Sequence, residues 1–340
     1  VAQAIGGADN GNGGSIDVKA DTGIVAKGSG FIVAAGAEGH GGMINIDAGS
    51  GLLTFDGKFD ASGGTGSGNN FGGQIEIKGG NIFLSATAVT ELIANGHGSG
   101  KGGEINVTSM LSDLNFGAGA DQLRIEATSE QAQGGNVSIS APTTGNITLN
   151  GSAVDVSAGG DGEGGNISVQ TASGSISLSD RLQANGHGSG NGGSISLASA
   201  STADMTLNNV DVWANSGLSG GNGGTVSVKN TKGTINVNNA SSIRVTALAS
   251  NGNGGTVDVS AGSSAGQGGV TLTSGSDMEA DAGLTSGDGG KITITYYSNN
   301  PAVAINTDQG TVHADGPTGF LEFQNASLAE LRVSGDHTEI

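Results

Sequence analysis

Short runs of alternating aliphatic and polar residues recur along the whole chain, and most of them start directly after two glycines. Gly192–Leu197 (GGSISL) is a clear example. Ten copies place their second glycine at positions 14, 42, 73, 103, 135, 165, 193, 224, 255 and 290, which are about 31 residues apart. Strict alternation predicts a β-strand with one buried face. A fixed period of this length is typical of a solenoid, a propeller or another repeat array.

Two further strands are predicted in each repeat. The second often follows a turn that contains glycine, as in Gly174–Leu178 (GSISL), and the third runs aliphatic–variable–small, as in Leu182–Ala184 (LQA). A propeller blade usually has four strands joined by tight hairpins, whereas these turns are longer and equivalent strands look alike from repeat to repeat. We therefore predict an all-β fold, a right-handed parallel β-helix of about ten coils of roughly 31 residues, with three short strands per coil.

The strand that follows each glycine pair is here called the diglycine strand. Its aliphatic positions indicate which residues form the core of the β-helix. Stacked coils bring the first aliphatic residue of every such strand into one inward column. We expect this column to consist of Ile16, Ile44, Ile75, Ile105, Val137, Ile167, Ile195, Val226, Val257 and Ile292. The glycines and asparagines of the turns suit backbone at positive φ or in close approach to a neighbour.

The repeat defines residues 1–316 as one β-helical region that starts in mid-coil, because Ala2–Ala4 reads like Leu182–Ala184. After about residue 316 the glycine pair disappears, and residues 317–340 are interpreted as a degenerate last coil, a cap or a joint between subunits. A coil without a cap leaves unpaired backbone groups above aliphatic side chains. We therefore expect either continuation in a longer chain or end-to-end self-association. The predicted assembly contacts are Ala2, Ala4, Ile5, Phe320, Phe323, Leu331 and Val333.

Composition narrows the classes of function. Glycine makes up 67 of the 340 residues, but without a Gly-X-Y period, which excludes collagen. The formal net charge of −19 disfavours nucleic acid and anionic lipid as partners. No apolar run approaches the roughly 18 residues that span a bilayer, so the chain is not expected to be membrane-spanning. The absence of cysteine excludes disulfides as a stabilising element.

Two segments carry a resemblance to a known family. Residues 185–197 (NGHGSGNGGSISL) and 145–158 (GNITLNGSAVDVSA) resemble the repeats of filamentous-haemagglutinin-like exoproteins. These are large secreted β-helical passenger proteins of Gram-negative bacteria, exported by two-partner or autotransporter routes. The resemblance covers roughly residues 1–315 and concerns the repeat region only. It implies a secreted shaft at the surface of a Gram-negative cell, with a role in adhesion, biofilm or fibre formation.

One turn is a candidate for metal binding. Gly159–Asn166 (GGDGEGGN) is similar to glycine-rich calcium-binding repeats, and its carboxylates, Asp161 and Glu163, are the candidate calcium ligands. Calcium prefers about six to eight oxygen ligands, so a solvated acidic turn is the competing interpretation, and no other cofactor is predicted. His97 and His187 occur in similar turns but are expected about three coils apart, too far for one ion.

Two further observations concern ligands and catalysis. Trp213, the only tryptophan, takes an outward position in its strand and is the first candidate for contact with a ligand such as a sugar. Asp17 and Glu76 lie in the outward column of the diglycine strands, about two coils apart. No basic or aromatic residue in that column would hold a sugar between two catalytic carboxylates. An enzyme is therefore not expected.

These observations lead to one main hypothesis and one alternative. The main hypothesis is an extracellular structural or adhesive protein, a stiff β-solenoid shaft or filament subunit that assembles head to tail. The alternative is a β-helix protein that binds or cleaves carbohydrate. Host or matrix glycans are candidate partners under both hypotheses.

Overall fold

The structure, a computed structural model, describes most of the chain. The described residues are 2–6, 10–33, 35–84, 90–116, 123–249, 251–264, 267–272, 275–283, 285–297, 303–306, 311–314, 320–325 and 332–334. Within them the regular structure consists entirely of β-strands, with no helix. The all-β prediction is confirmed.

The strands are short and follow one another at the period of the repeat. In the N-terminal part they are β1 (Ala2–Gln3), β2 (Ser15–Lys19), β3 (Gly23–Ile32), β4 (Met43–Asp47), β5 (Leu52–Asp60), β6 (Asn69–Asn70), β7 (Gln74–Gly79), β8 (Asn81–Leu84), β9 (Thr90–Ile93), β10 (His97–Gly98), β11 (Glu104–Ser109), β12 (Leu114–Phe116), β13 (Leu123–Glu126), β14 (Asn136–Ala141) and β15 (Ile147–Asp155). The remainder are β16 (Asn166–Thr171), β17 (Ile176–Gln183), β18 (Ser194–Ser199), β19 (Met205–Trp213), β20 (Thr225–Asn230), β21 (Ile235–Asn238), β22 (Ser242–Arg244), β23 (Thr256–Ala261), β24 (Val270–Leu272), β25 (Asp277–Glu279), β26 (Lys291–Tyr296), β27 (Val303–Asn306), β28 (Thr311–His313), β29 (Phe320–Asn325) and β30 (Arg332–Ser334).

Nearly all of these strands belong to two sheets in which paired strands run parallel. The first, here called the diglycine sheet, stacks eleven strands in the order β2-β4-β7-β11-β14-β16-β18-β20-β23-β26-β29, and all but the last follow a glycine pair. The second sheet contains seventeen of the described strands and forms the rest of each coil. Strands β6 and β10 make a separate antiparallel pair. The chain is therefore a parallel β-solenoid, as the repeat predicts.

The predicted inward column is confirmed by the register of the diglycine sheet. Ile167 lies opposite Val137 in the coil before it and opposite Ile195 in the coil after it. The same pairing joins all ten predicted residues, and the backbone of Leu321 pairs with that of Ile292. The nine residues after Ile16 are each at most 1% exposed. The first aliphatic position of each diglycine strand thus forms one row along the core.

The second and third strands are less separate than predicted. In β15, β17 and β19 they run together as one bent strand, and both belong to the second sheet. The bend coincides with a residue at positive φ, namely Gly151 (62°), Asp180 (102°) or Asn209 (54°). Glycine, asparagine and aspartate accept this backbone conformation more readily than other residues. A single residue therefore turns the chain without ending the strand.

Aliphatic side chains fill the interior and connect every described coil to the next in one continuous cluster. The largest fully buried side chains are aromatic, Tyr296, Phe55, Phe59 and Phe116. Burial of an Ile, Val or Leu side chain contributes about 1.5–3 kcal/mol relative to exposure. Because each coil buries several such residues against both neighbours, the apolar core holds the coils together along the whole stack.

Ile167 gives a direct test of the inward column. Replacing Ile167 by Asp buries an unpaired charge in the centre of the stack and should cost more than about 4 kcal/mol of unfolding free energy. Ser168, the next residue of the same strand, faces outward and provides the control. Ser168→Asp should change the unfolding free energy by about 0.5 kcal/mol or less. Thermal melting followed by circular dichroism measures both, and equal melting temperatures would contradict the assigned orientation.

Candidate functional site

Each coil closes at its glycine pair, where the backbones of neighbouring coils come into contact. A Cβ atom on Gly72 would collide with the carbonyl oxygen of Ala94 in the next coil. A Cβ atom on Gly73 would collide with the carbonyl oxygen of Gly42 in the coil before. Neither glycine has a positive φ. The pair is therefore required by close approach of the coils, and the same contacts recur at the other pairs.

Hydrogen bonds at this corner run in three directions. The amide of Gly72 donates to the carbonyl of Lys101 in the next coil (2.9 Å), and the amide of Gly73 donates to Ala61 across its own coil (2.7 Å). The amide of Gln74 donates to the carbonyl of Gly42 in the coil before, at 2.9 Å. Residues 164–166 repeat the arrangement. Three successive amides thus tie one coil to itself and to both neighbours.

The asparagine before three successive glycine pairs forms a second connection, here called the corner ladder. Asn191 Oδ1 accepts the amide N–H of Asn222 at 2.8 Å, and Asn222 Oδ1 accepts that of Asn253 at 2.9 Å. Asn253 Oδ1 in turn accepts the N–H of Asp288 at 2.8 Å. The ladder was not among the sequence predictions, although its signal was present as an asparagine at the same place in three successive repeats.

A further row, the turn ladder, begins each turn after the third strand. Asn185 Oδ1 accepts the N–H of Asn215 at 2.9 Å, and Asn215 Oδ1 accepts the N–H of Thr246 at 2.9 Å. Asn95 and Thr128 make the same bond nearer the N-terminus, at 2.8 Å. Hydrogen bonds to buried or half-buried groups contribute about 0.5–1.5 kcal/mol each. The two ladders therefore hold the turns in the register that the sheets impose.

Asp161 and Glu163, the candidate calcium ligands, are both acceptors for the coil that follows. Asp161 Oδ1 accepts the N–H of Ser189 at 3.0 Å, and Glu163 Oε1 accepts the side-chain amide of Asn191 at 3.0 Å. Within the described residues, no group of three or more His, Cys, Asp and Glu side chains could hold a metal ion. The two carboxylates thus have a structural role, and calcium binding by them stays a prediction.

His97 and His187 each contact a neighbouring coil in a different way. His97 Nδ1 lies 2.7 Å from Glu130 Oε1, and the N–H of Gly98 donates to Glu130 Oε2 at 2.9 Å. The hydrogen bond from His97 lowers the pKa of Glu130 below its ordinary value, and the hydrogen bond from Gly98 contributes to the same shift to a smaller extent. His187 Nδ1 lies 2.6 Å from the carbonyl oxygen of Gly160 and donates to it. The two histidines therefore act separately.

Asp17 and Glu76, the outward carboxylates of the diglycine sheet, are each paired within their own strand. Asp17 lies 3.1 Å from Lys19 and also accepts the side-chain amide of Asn45 at 3.0 Å. Glu76 lies 2.5 Å from Lys78. The register places Asn45 between the two carboxylates, so they are two coils apart as expected. Each carboxylate is thus held by a neighbouring lysine.

Trp213 lines a lateral groove of about 450 Å³ on the side of the solenoid. The indole N–H donates to Ser242 Oγ at 3.3 Å. The guanidinium carbon of Arg244, the residue opposite Trp213 in the next coil, lies 5.9 Å from the ring centroid. This distance allows a cation–π contact. The hydrogen bond and the guanidinium fix the ring at the groove while leaving it half-buried.

Carboxylates surround Arg244 beside this groove. Its Nη2 atom lies 2.9 Å from Asp277 Oδ2 and 3.0 Å from Glu279 Oε1. Burial, together with the hydrogen bond to Glu279, raises the pKa of Asp277 above its ordinary value. Burial also raises the pKa of Asp211, a third carboxylate that interacts with Arg244. One guanidinium therefore faces three acidic groups, and Arg244 itself, unlike these carboxylates, lines the groove.

Two exposed leucines border the groove, and both lie in enlarged turns. The alignment of the two ladders shows that the turns 215–222 and 246–253 are one residue longer than the turn 185–191. Leu218 in the first long turn is 75% exposed, and Leu248 in the second is 45% exposed. Both line the groove with Trp213. Sequence patterns alone had not linked these leucines to Trp213.

At the N-terminal edge, Ala2 lies in the third-strand column, as predicted. It pairs with Phe31, and the column continues through successive coils to Leu182. Ala2 is exposed, Ala4 packs partly against the core, and Ile5 is 67% exposed. Among the described strands, β2 pairs with β4 alone. A role of these residues in assembly stays a prediction.

At the C-terminal edge, the diglycine sheet continues past residue 316. Strand β29 pairs in parallel with β26, which places Phe320 opposite Lys291 and Phe323 opposite Ile294. Strand β30 pairs with β27 and contains Val333. Leu331 lies outside the described residues, as do 317–319, 326–330 and 335–340. Neither the boundary at residue 317 nor an assembly role for these residues is tested by this pairing.

Comparison with known proteins returned no match to any family model, curated protein or solved structure. The resemblance to filamentous-haemagglutinin-like exoproteins therefore rests on the repeat residues, and the β-solenoid is compatible with it. In the part of the chain that the structure describes, no helix has the length and hydrophobicity needed to cross a membrane.

Two glycine variants test the close approach at the corners. Gly193→Ala places a methyl group against the carbonyl oxygen of Gly165, which belongs to a paired backbone that cannot move freely. We expect a loss of about 1–3 kcal/mol in unfolding free energy. Gly220→Ala is the control, because the nearest atom to its added methyl group is 3.4 Å away. Denaturant unfolding should separate the two variants, and equal stability would show that the corners tolerate side chains.

Chelation tests the role of the acidic turn. Because the turn offers two carboxylates that already accept hydrogen bonds, we expect excess chelator to leave the melting temperature unchanged. Asp161→Ala should lose about 0.5–1.5 kcal/mol, with or without added calcium, since it removes the acceptor for Ser189. A fall of many degrees on chelation, reversed by calcium and absent from Asp161→Ala, would identify the turn as a calcium site instead.

Proposed function

We propose that this chain serves as a stiff structural shaft rather than as an enzyme. The observation that carries the proposal is the diglycine sheet, in which eleven parallel strands pair without interruption from β2 to β29. Such a stack rises about 4.8 Å per strand, so it spans roughly 48 Å. The apolar core and the ladders cross the same coil boundaries as the sheet. A load on one coil is therefore shared with the coils on either side.

The proposal extends to an extracellular location at the surface of a Gram-negative cell, with an adhesive or filament-forming role. The resemblance of residues 185–197 and 145–158 to secreted β-helical exoproteins supports this location. The net charge of −19 is consistent with it. Head-to-tail assembly through the predicted end residues belongs to the same proposal.

Carbohydrate cleavage is not favoured as the main function. The outward carboxylates Asp17 and Glu76 are each paired with a lysine two residues away, and Asn45 lies between them. A pair of catalytic carboxylates would need one group free to protonate a glycosidic oxygen. Here both carboxylates are paired with a lysine, so the arrangement does not set one of them apart as the proton donor.

Coil insertion tests the shaft. Three extra copies of residues 166–193, inserted after residue 193, add whole coils that start and end at equivalent points of the repeat. Because each coil contacts only its neighbours, we expect the variant to fold and to lengthen the rod by roughly 14 Å. Negative-stain electron microscopy measures the length, and circular dichroism measures the β-structure.

The matched control inserts three copies of residues 166–179, which end part-way through a coil and break the register of both sheets. This control should misfold or aggregate. A whole-coil variant that unfolds, or that keeps the original length, would contradict the additive shaft. Micrographs and light scattering of the unmodified chain also distinguish monomers from head-to-tail filaments, and monodisperse monomers would remove self-assembly from the proposal.

A further inference from the structure

The groove beside Trp213 has the size and shape of a ligand site. Its volume of about 450 Å³ lies within the range of roughly 300–1,000 Å³ found for small-molecule sites. Trp213 is held at the groove by Ser242 and Arg244, so its ring presents a fixed surface. Fixing a binding group before the ligand arrives reduces the entropy lost on binding.

Apolar contacts in the groove suit a ring with a hydrophobic face. Leu218 and Leu248 stand beside Trp213 and are far more exposed than the core leucines, at 75% and 45% against at most 2%. Aromatic and aliphatic side chains grouped on a surface are typical of interaction sites. The C–H face of a sugar ring can stack on an indole, while its hydroxyl groups remain available for polar contacts.

Polar groups of the same groove complement hydroxyl groups. The side-chain oxygens of Asn185 and Asn215 accept the turn-ladder bonds, and their NH₂ groups are hydrogen-bond donors, with Asn185 half-buried and Asn215 6% exposed. His187 donates its Nδ1 proton to Gly160, so Nε2 is an acceptor in the neutral ring. Hydroxyl groups both donate and accept hydrogen bonds, and these three side chains, all lining the groove, offer both functions.

Charge determines which glycans fit. Of the described residues, Arg244 is the one Arg, Lys, Asp or Glu side chain that lines the groove, and it is already paired with Asp277 and Glu279, while the whole chain carries a net charge of −19. An acidic sugar would find this guanidinium already paired and would be repelled by the net charge of the chain, whereas a neutral sugar would not. We infer that the Trp213 groove binds a sugar ring of a neutral glycan, as a lateral site separate from the shaft.

The test uses Trp213 as its own reporter, because it is the only tryptophan of the chain. Purified protein is titrated with neutral hexasaccharides of glucose, mannose, galactose and N-acetylglucosamine, and with a galacturonate hexamer. We expect at least one neutral hexamer to produce a saturable change in tryptophan emission. The acidic hexamer should produce no change at the same concentrations. Isothermal titration calorimetry then measures affinity for the neutral ligand.

Variants distinguish the groove from other surfaces. Trp213→Ala should weaken calorimetric binding at least tenfold, and Trp213→Phe should retain part of the affinity because a smaller ring remains. Leu218→Ser should weaken binding a few-fold. Leu111→Ser is the matched control, because Leu111 is another exposed leucine, at 55%, in a different coil and outside the groove. Circular dichroism confirms that each variant is folded.

Several outcomes would overturn the inference. These are the absence of a response to every neutral hexamer at about 10 mM, equal binding of the acidic hexamer, or equal effects of Leu218→Ser and Leu111→Ser. Should Trp213→Ala fail to fold, Trp213→Phe and Leu218→Ser carry the same comparison. A groove variant that loses glycan binding but still forms a normal rod would show that the site and the shaft are independent. Coil insertion tests the shaft by itself, so failure of one proposal can be told from failure of the other.

Discussion

Neighbouring coils approach so closely at the glycine pairs that no side chain fits between their backbones, and the rest of the solenoid depends on this contact. It sets the path by which the chain leaves the second sheet and enters the diglycine sheet. At Gly72 and Gly73 the amides bind the coil after, the coil itself and, one residue later, the coil before. Any change of spacing at one corner would therefore disturb three coils at once. The regular sheets are a consequence of this repeated junction as much as of their aliphatic residues.

Because the coils stack one strand spacing apart, equivalent residues of neighbouring coils lie directly above one another. A side chain at such a position must tolerate an identical neighbour about 4.8 Å away. Aliphatic residues do this in the core, as along the column that contains Ile167. Asparagine does it in the ladders, because its oxygen can accept an N–H from the next coil while its NH₂ group donates elsewhere, as from Asn191 to Glu163. Charged residues require an opposite charge instead, as Arg244 shows between Asp277 and Glu279.

The fold could be predicted from the sequence because the repeat period and the aliphatic–polar alternation are both visible in the order of residue types along the chain. The inward column from Ile44 to Ile292 follows directly from the glycine pairs, and the outward position of Trp213 follows from the alternation within its own strand. The groove beside Trp213 could not be predicted in the same way. It depends on one additional residue in each of the turns 215–222 and 246–253, and turn length does not reveal where Leu218 and Leu248 will point. The bent strands were missed for a related reason, since Asp180 and Asn209 turn the backbone without the glycine that usually signals it.

The turns therefore tolerate an inserted residue, whereas the strands of the sheets do not. A residue added to a turn changes the surface but leaves the strand register intact, as the pairing on both sides of residues 215–222 shows. A residue added within a diglycine strand would move its aliphatic side chains from the core to the solvent. The groove beside Trp213 combines strand residues, Trp213 and Arg244, with turn residues such as Leu218 and Leu248, so a change in the turns alters its border without moving the strands.

The ladders have a direction. In the corner and turn ladders the acceptor belongs to the earlier coil and the donating N–H to the later one, as between Asn191 and Asn222 or Asn185 and Asn215. The backbone amide of the first glycine of each pair donates the other way, from the earlier coil to the later one, as from Gly192 to Asn222. Each coil boundary is therefore closed by N–H groups from both sides, and neither neighbour can shift along the strands without breaking bonds of both kinds.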